Sequence, residues 1–275
     1  MTEPFIQKNE QLLLIEPHTQ SDFHLIAGFT TKNGGVSPEH FHSLNMGFHV
    51  PDKEENVINN REIVAEKLDF PTEFWIGSKQ VHEAKIEKVT KEDCSKGALS
   101  FDSALKDTDG LYTADADVLL TSLYADCVPL YFWSEKNQLV GLAHAGWKGT
   151  VLGIGEKMIQ HWVGDEEVPL ADIRVAIGPC ISQAAYEVDS SVIEKITEQF
   201  GKKRMEEVTI QTDKEHYQLD LRLLNYLNLI DKGLKKEQIL VSSYCTLNDE
   251  ALFFSHRRDK GKTGRLMSFI GRKSK

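Results

Sequence analysis

Short apolar runs recur along the chain, at 12–15, 25–29, 85–89, 118–123, 129–133, 139–143, 173–177, 239–242, 252–255 and 266–270. Several are rich in β-branched or aromatic residues and end at Gly or Pro, which is how buried strands end. Four segments carry a helical period instead. The first spans about 53–68, with Val57, Val64, Ala65 and Leu68 on one face. Asp52 and Glu55 stand at capping-box spacing before it. Arg61 falls on the same apolar face as Val57. A guanidinium there must snorkel outward or meet an anion, because an unpaired buried charge is costly. The second helix is expected to start near Thr150 and to bury Val151, Ile154, Met158, Ile159 and Trp162. The third opens at Asp189 and the fourth at Asp220. Many strands, few helices and no regular strand–helix alternation predict an α+β fold. In this α/β sandwich, mixed or antiparallel sheets are layered and flanked by helices. No linker or internal repeat divides residues 1–275, so one domain is expected.

Composition narrows the function classes. The chain is 40% apolar and 27% charged, ordinary for a globular protein. Its net charge of −10 argues against a general nucleic-acid binder. The basic stretch from His256-Arg257-Arg258 to Arg272-Lys273 is the exception, and such stretches are usually solvated faces. No apolar run has the length of a membrane span. Met1-Thr2-Glu3-Pro4 does not lead through a basic segment into an apolar one, so no signal peptide is expected. Cys94, Cys127, Cys180 and Cys245 are widely spaced and read as reduced thiols. A cytoplasmic protein is expected, with no membrane or nucleic-acid partner. Nothing in the pattern specifies an oligomeric state.

The candidate chemistry lies where strands break into turns. His82 follows Lys79-Gln80-Val81, Cys127 sits in Ala125-Asp126-Cys127-Val128-Pro129, and His144 precedes Ala145-Gly146-Trp147. Two imidazoles and a thiolate form a good zinc set, and three protein ligands leave a coordination place for water or substrate. Each residue alone would more often be a packed core residue; their shared placement at strand ends favours a site. Asp126, beside the thiol, is a candidate for orienting a ligand. Gly146-Trp147-Lys148-Gly149-Thr150 reads equally as an anion cradle and as a Gly-rich turn with an exposed lysine. Asn33-Gly34-Gly35-Val36-Ser37-Pro38 and Ser43-Leu44-Asn45-Met46-Gly47 suit a ligand-touching loop or an ordinary turn. Cys180, after Gly178-Pro179, reads as packed. The arginines of Ser255-His256-Arg257-Arg258 and Gly264-Arg265 suit phosphate.

Taken together with Asn60-Arg61, Asp109-Gly110-Leu111 and Ile177-Gly178-Pro179-Cys180-Ile181, these motifs resemble, in order and over roughly residues 27–270, a bacterial family. It is the purine nucleoside phosphorylase family formerly labelled laccase-domain or polyphenol-oxidase-like. The resemblance implies a layered α/β sandwich in which His82, Cys127 and His144 bind zinc and act in catalysis. It also implies phosphorolysis of adenosine, inosine, guanosine and methylthioadenosine, with adenosine deamination. Purine nucleosides and phosphate are then the expected partners, and Ser43, Asn45, Arg61 and Lys148 the expected substrate contacts. Thiolate plus imidazole also suits copper in vitro. An oxidase would need several H-x-H pairs, and only His40-Phe41-His42 has that form. The alternative is a cysteine-type hydrolase, a cytoplasmic amidase editing peptidoglycan precursors, with Cys127 as nucleophile.

Overall fold

The computed structural model describes residues 2–16 and 23–274. Side-chain alternation in the central strands decides its layering. Along β8 (Val128–Ser134), Val128, Leu130 and Phe132 enter one apolar cluster, while Tyr131 and Trp133 enter another. Along β9 (Leu139–Ala145), Leu139, Ala143 and Ala145 join the first cluster, and Val140 and Leu142 join the second. Both faces are buried, which is why these strands appear in the sequence as continuous apolar runs.

One six-stranded sheet runs β1 (Phe5–Gln7), β2 (Leu12–Ile15), β3 (Leu25–Thr30), β15 (Leu266–Arg272), β7 (Val118–Tyr124) and β4 (Trp75–Gly77). It is antiparallel except where β4 joins β7. A second runs β14 (Ile239–Val241), β10 (Arg174–Ile177), β8, β9, β6 (Gly110–Thr113) and β5 (Ile86–Lys88). Its centre is antiparallel and its two rim pairs, β10–β14 and β5–β6, are parallel. A small sheet of β11 (Glu187–Asp189), β13 (His216–Leu219) and β12 (Thr209–Gln211) lies apart from these.

Three clusters fill the spaces between layers. Phe5, Phe29, Leu120, Tyr131, Leu142 and Ile270 pack between the two large sheets. Val64, Ala65 and Leu68 of α1 (Glu54–Leu68) meet Trp75, Met267 and Phe269 on the outer face of the first sheet. The outer face of the second is covered by α2 (Trp147–Val151), α3 (Ile154–Gly164), α4 (Ser190–Val208) and α5 (Leu221–Asp231). The order is helix, sheet, sheet, helices, in one mixed α+β domain. Among the described residues no helix is long and apolar enough to cross a membrane.

Four local expectations are revised. The segment 252–255 is not a strand. Phe253 and Phe254 are buried in the inter-sheet cluster, and Arg258 Nη2 donates to the Phe253 carbonyl, so burial there needs no ladder. The second helix begins at Trp147 and is split at Gly153, whose φ is +75°. The Asp52 carboxylate makes no capping box; it accepts from Ser37 Oγ, Asn45 Nδ2 and Asn56 Nδ2, tying loop to helix.

Arg61 neither snorkels nor meets a carboxylate among the described residues. Its Nε and Nη2 donate to the Met46 carbonyl, and its Nη1 donates to those of Gly97 and Ala98. The guanidinium lies 4.5 Å from the Phe48 ring centroid. Burial lowers its pKa to about 9, which leaves it charged at neutral pH. Carbonyl dipoles thus take the place of a counter-ion. Arg61→Ala should strip these partners and lower stability by on the order of 3 kcal/mol, read as a shift in urea midpoint. An unchanged midpoint would remove Arg61 from the scaffold.

Candidate metal centre

The trio assembles at one end of the seam between the two large sheets. His144 keeps the register of Val140 and Leu142, whose side chains face the first sheet, and stands one residue before β9 ends. Cys127 lies in the turn between β7 and β8. His82 lies in the loop that follows β4, with φ +62°. Their ligand atoms all fall within 4.8 Å of one another, with His144 buried, Cys127 half-buried and His82 exposed. The set is graded from core to solvent, as a centre that admits a ligand from one side requires. Two ring nitrogens and one sulfur fit zinc by donor type and number.

The group that orients this trio is Asp109, not Asp126. Asp109 is buried at the entrance to β6. Its Oδ1 accepts from His144 Nδ1 at 2.9 Å and from the His82 backbone N–H at 3.0 Å. Its Oδ2 accepts from the N–H groups of Val81 and Glu83 at 3.1 and 3.0 Å. One carboxylate therefore fixes the tautomer of one imidazole and the backbone that carries the other. Asp126 is engaged elsewhere, accepting from Thr246 Oγ1 and the Arg257 N–H at 2.7 Å each. The signal for Asp109 was the Asp109-Gly110-Leu111 motif, but only folding brings it beside His144.

Gly146 explains the small residue after His144-Ala145. A Cβ there would stand 3.2 Å from both Cys127 Sγ and His82 Cδ2. The glycine keeps the space among the three donors open.

The trio lines a cavity of about 540 Å³. Trp147, Tyr186 and Phe101 contribute aromatic surface, and His49, Arg257 and Arg265 contribute polar and cationic groups. The other expected contacts lie elsewhere. Ser43 is buried, its Oγ accepting from the Gly35 N–H and donating to the Lys32 carbonyl. Asn45 is buried and bonds Gly47, Asp52 and the Arg265 N–H. Arg61 stands behind Met46, and exposed Lys148 is outside the cavity lining. Val36 N–H is taken by Asn60 Oδ1, so the Gly34-Gly35 turn packs on α1. Cys180 is buried beside Arg222, as a packed residue.

Charge in the centre is coupled. Burial alone would raise the Cys127 thiol, but His144 and His82 outweigh it and bring it down to about 6. Burial alone would lower His144, but Cys127 and Asp109 outweigh it and raise it to about 9. At neutral pH the ion-free centre is a thiolate beside an imidazolium. A metal must displace the His144 proton at any pH below about 9, and below about 6 the Cys127 proton as well. Zinc affinity should therefore rise about tenfold per pH unit over that interval and more steeply below it. Chelator competition at stepped pH measures this; a pH-independent affinity would contradict the assigned protonation states.

Comparison with known proteins agrees with this architecture. The family model described as multi-copper polyphenol oxidoreductase laccase matches residues 26–273. Purine nucleoside phosphorylase YlmD of Bacillus subtilis (strain 168) is 46% identical over 273 residues, 98% of each chain. Its namesake from Geobacillus stearothermophilus is 48% identical over 248 residues, 90% of each. The crystal structure of Bacillus licheniformis hypothetical protein YfiH superposes with a TM-score of 0.94 at 47% identity, covering 98% of this chain and 99% of that one. A Neisseria meningitidis structure, NMB0706, matches with a TM-score of 0.82 at 28% identity, covering 96% of this chain and 100% of that one.

Proposed function

Because the chain belongs to the multi-copper polyphenol oxidoreductase laccase family, and full-length relatives in it bear the name purine nucleoside phosphorylase, we propose that it is a zinc-dependent purine nucleoside phosphorylase. Adenosine, inosine, guanosine and methylthioadenosine are its substrates, and adenosine is also deaminated. The observation that carries this reading is the trio of His82, Cys127 and His144 in the wall of a cavity of about 540 Å³. Such a volume suits a nucleoside-sized ligand. His40 and His42, the H-x-H pair, lie outside the trio. The four unpaired thiols suit a reducing compartment, and we place the enzyme in the cytoplasm.

His82 and His144 would hold the ion through ring nitrogens and Cys127 through sulfur. Zinc, when bound, supplies Lewis acidity toward a substrate atom and lowers the pKa of water, which phosphorolysis and deamination respectively can use. Asp109 keeps the Nδ1–H of His144 and so leaves Nε2 free to ligate. Trp147 and Tyr186 offer aromatic faces to a purine. In phosphorolysis a phosphate oxygen bonds to ribose C1′ as the C1′–N9 bond breaks, and the purine leaves with the bonding pair and is protonated. The arginines of the cavity favour the anionic nucleophile.

One observation supports a second reading. Cys127, His144 and Asp109 form a thiol–imidazole–carboxylate series with the thiol depressed, an arrangement suited to a cysteine nucleophile. Such an enzyme would be an amidase acting without metal. The test is incubation of metal-quantified protein with adenosine and phosphate, before and after chelation. Adenine with ribose 1-phosphate supports phosphorolysis, inosine supports deamination, and loss of both on chelation supports zinc. No product from any of the four nucleosides by zinc-loaded protein would defeat the reading.

A further inference from the structure

Resting on the phosphorylase reading, we propose that Arg265, with His49 beside it, forms the subsite of the cavity that receives a phosphate oxyanion.

The segment 45–49 and Arg265 are built as one unit. Asn45 Oδ1 accepts from the Arg265 N–H at 2.9 Å, and the Arg265 carbonyl accepts from the Met46 N–H at 2.9 Å. From the other side, Arg61 grips the Met46 carbonyl with Nε and Nη2. Gly47 is where the stem of Arg265 passes. A Cβ there would stand 2.7 Å from Arg265 Cγ and 2.9 Å from its Cβ. The Ser43-Leu44-Asn45-Met46-Gly47 motif thus acts at one remove, seating an arginine from the far end of the chain.

The fork of Arg265 is partly committed. Nε donates to His49 Nε2 at 3.1 Å, and Nη1 donates to the carbonyls of Thr263 and Gly264 at 2.9 and 3.1 Å. Among the described residues Nη2 has no hydrogen-bond partner. Because His49 Nε2 accepts from a cation, His49 is neutral and carries its proton on Nδ1, a second available donor. Both residues line the cavity with the trio. The Asp126 carboxylate, which also lines the cavity, accepts from Thr246 Oγ1 and the Arg257 N–H and makes no ion pair with Arg265. A held guanidinium with a spare N–H beside a neutral imidazole donor suits a tetrahedral oxyanion. The anion can come as inorganic phosphate or on a nucleoside monophosphate; the proposal commits to inorganic phosphate.

The test titrates zinc-loaded protein with inorganic phosphate, alone and with inosine present, and separately with adenosine 5′-monophosphate. Arg265→Ala should weaken phosphate binding at least tenfold, with Arg265→Lys intermediate because the planar fork is lost. Gly47→Ala retains the charge but displaces the stem, and should also weaken phosphate. Zinc content should stay at its wild-type value in the arginine variants. Phosphate binding that is absent in the wild-type protein under both conditions, or unchanged in Arg265→Ala, overturns the subsite. Weakening confined to the nucleotide overturns the commitment to inorganic phosphate. Arg265-dependent phosphate binding without purine release from any nucleoside leaves the subsite standing and removes the phosphorylase reading.

Discussion

Cys127→Ala is expected to yield a folded protein that neither retains stoichiometric zinc nor turns over purine nucleosides. The substitution removes one sulfur from a half-buried turn between β7 and β8. That turn is held independently by the Asp126 carboxylate, which bonds Thr246 and Arg257, and by the Ile181 N–H donating to the Asp126 carbonyl. Its fold should therefore persist, with a change in stability of about 1 kcal/mol or less. The centre loses one of three donors, and the one with the strongest charge. Zinc affinity should fall by on the order of 10³-fold or more. Metal analysis after dialysis, nucleoside assay and thermal unfolding read the three quantities separately. Full zinc stoichiometry in this variant would sink the ligand assignment. Retained zinc with lost turnover would instead favour sulfur as a nucleophile.

Replacing Asp109 should damage the same centre from behind. Asp109→Asn keeps the shape but sets an amide among four N–H donors, so at least one of those bonds is lost. The affinity for zinc should fall about 10- to 100-fold, the usual effect of losing a carboxylate behind a ligating histidine. Stability should fall by on the order of 2–4 kcal/mol, since buried donors are left unsatisfied. Burial opposes ionisation of Asp109, but His144 and the backbone N–H groups of Glu83 and Val81 outweigh it and hold the carboxyl below its ordinary range. Its stabilising contribution is accordingly present above the usual Asp pKa and lost as pH falls through the depressed value. Cobalt substitution gives a readout that a purely structural role would not move. A wild-type thiolate-to-cobalt spectrum at wild-type affinity in Asp109→Asn would refute the positioning role.

Much of the fold was legible because its central strands are buried on both sides. The runs around 118–123, 129–133, 139–143 and 266–270 are apolar at nearly every position, and all became strands in the two large sheets. Asp189 and Asp220 were legible as helix starts because their carboxylates accept the first helical N–H groups. Short strands such as Trp75–Gly77 and Gly110–Thr113 were not legible. They are too short to show a period and pair only because β7 and β9 template them. The segment 252–255 misled for the converse reason: an apolar run shows that burial is needed, not that a partner strand is present.

The trio was legible by residue type, since a cysteine and two histidines at strand ends are few enough to be noticed. Arg61 illustrates the limit. Its place on an apolar face was readable, whereas the carbonyls of Met46, Gly97 and Ala98 that receive it lie on other loops. Lys148 follows the same logic, because the helix start one residue earlier turns it to solvent and puts Trp147 on the cavity.

By itself, then, the chain's pattern determined its class, its central strands, the helix starts at Asp189 and Asp220, and the donor types of its centre. These depend on local period and side-chain chemistry, which neighbours in sequence carry. Tertiary structure alone decided that Asp109 rather than Asp126 stands behind the donors, and that Arg265 rests on Gly47. Those contacts join residues 35 and more than 200 positions apart. Which distant groups meet is set by sheet order and register, and no local pattern encodes either.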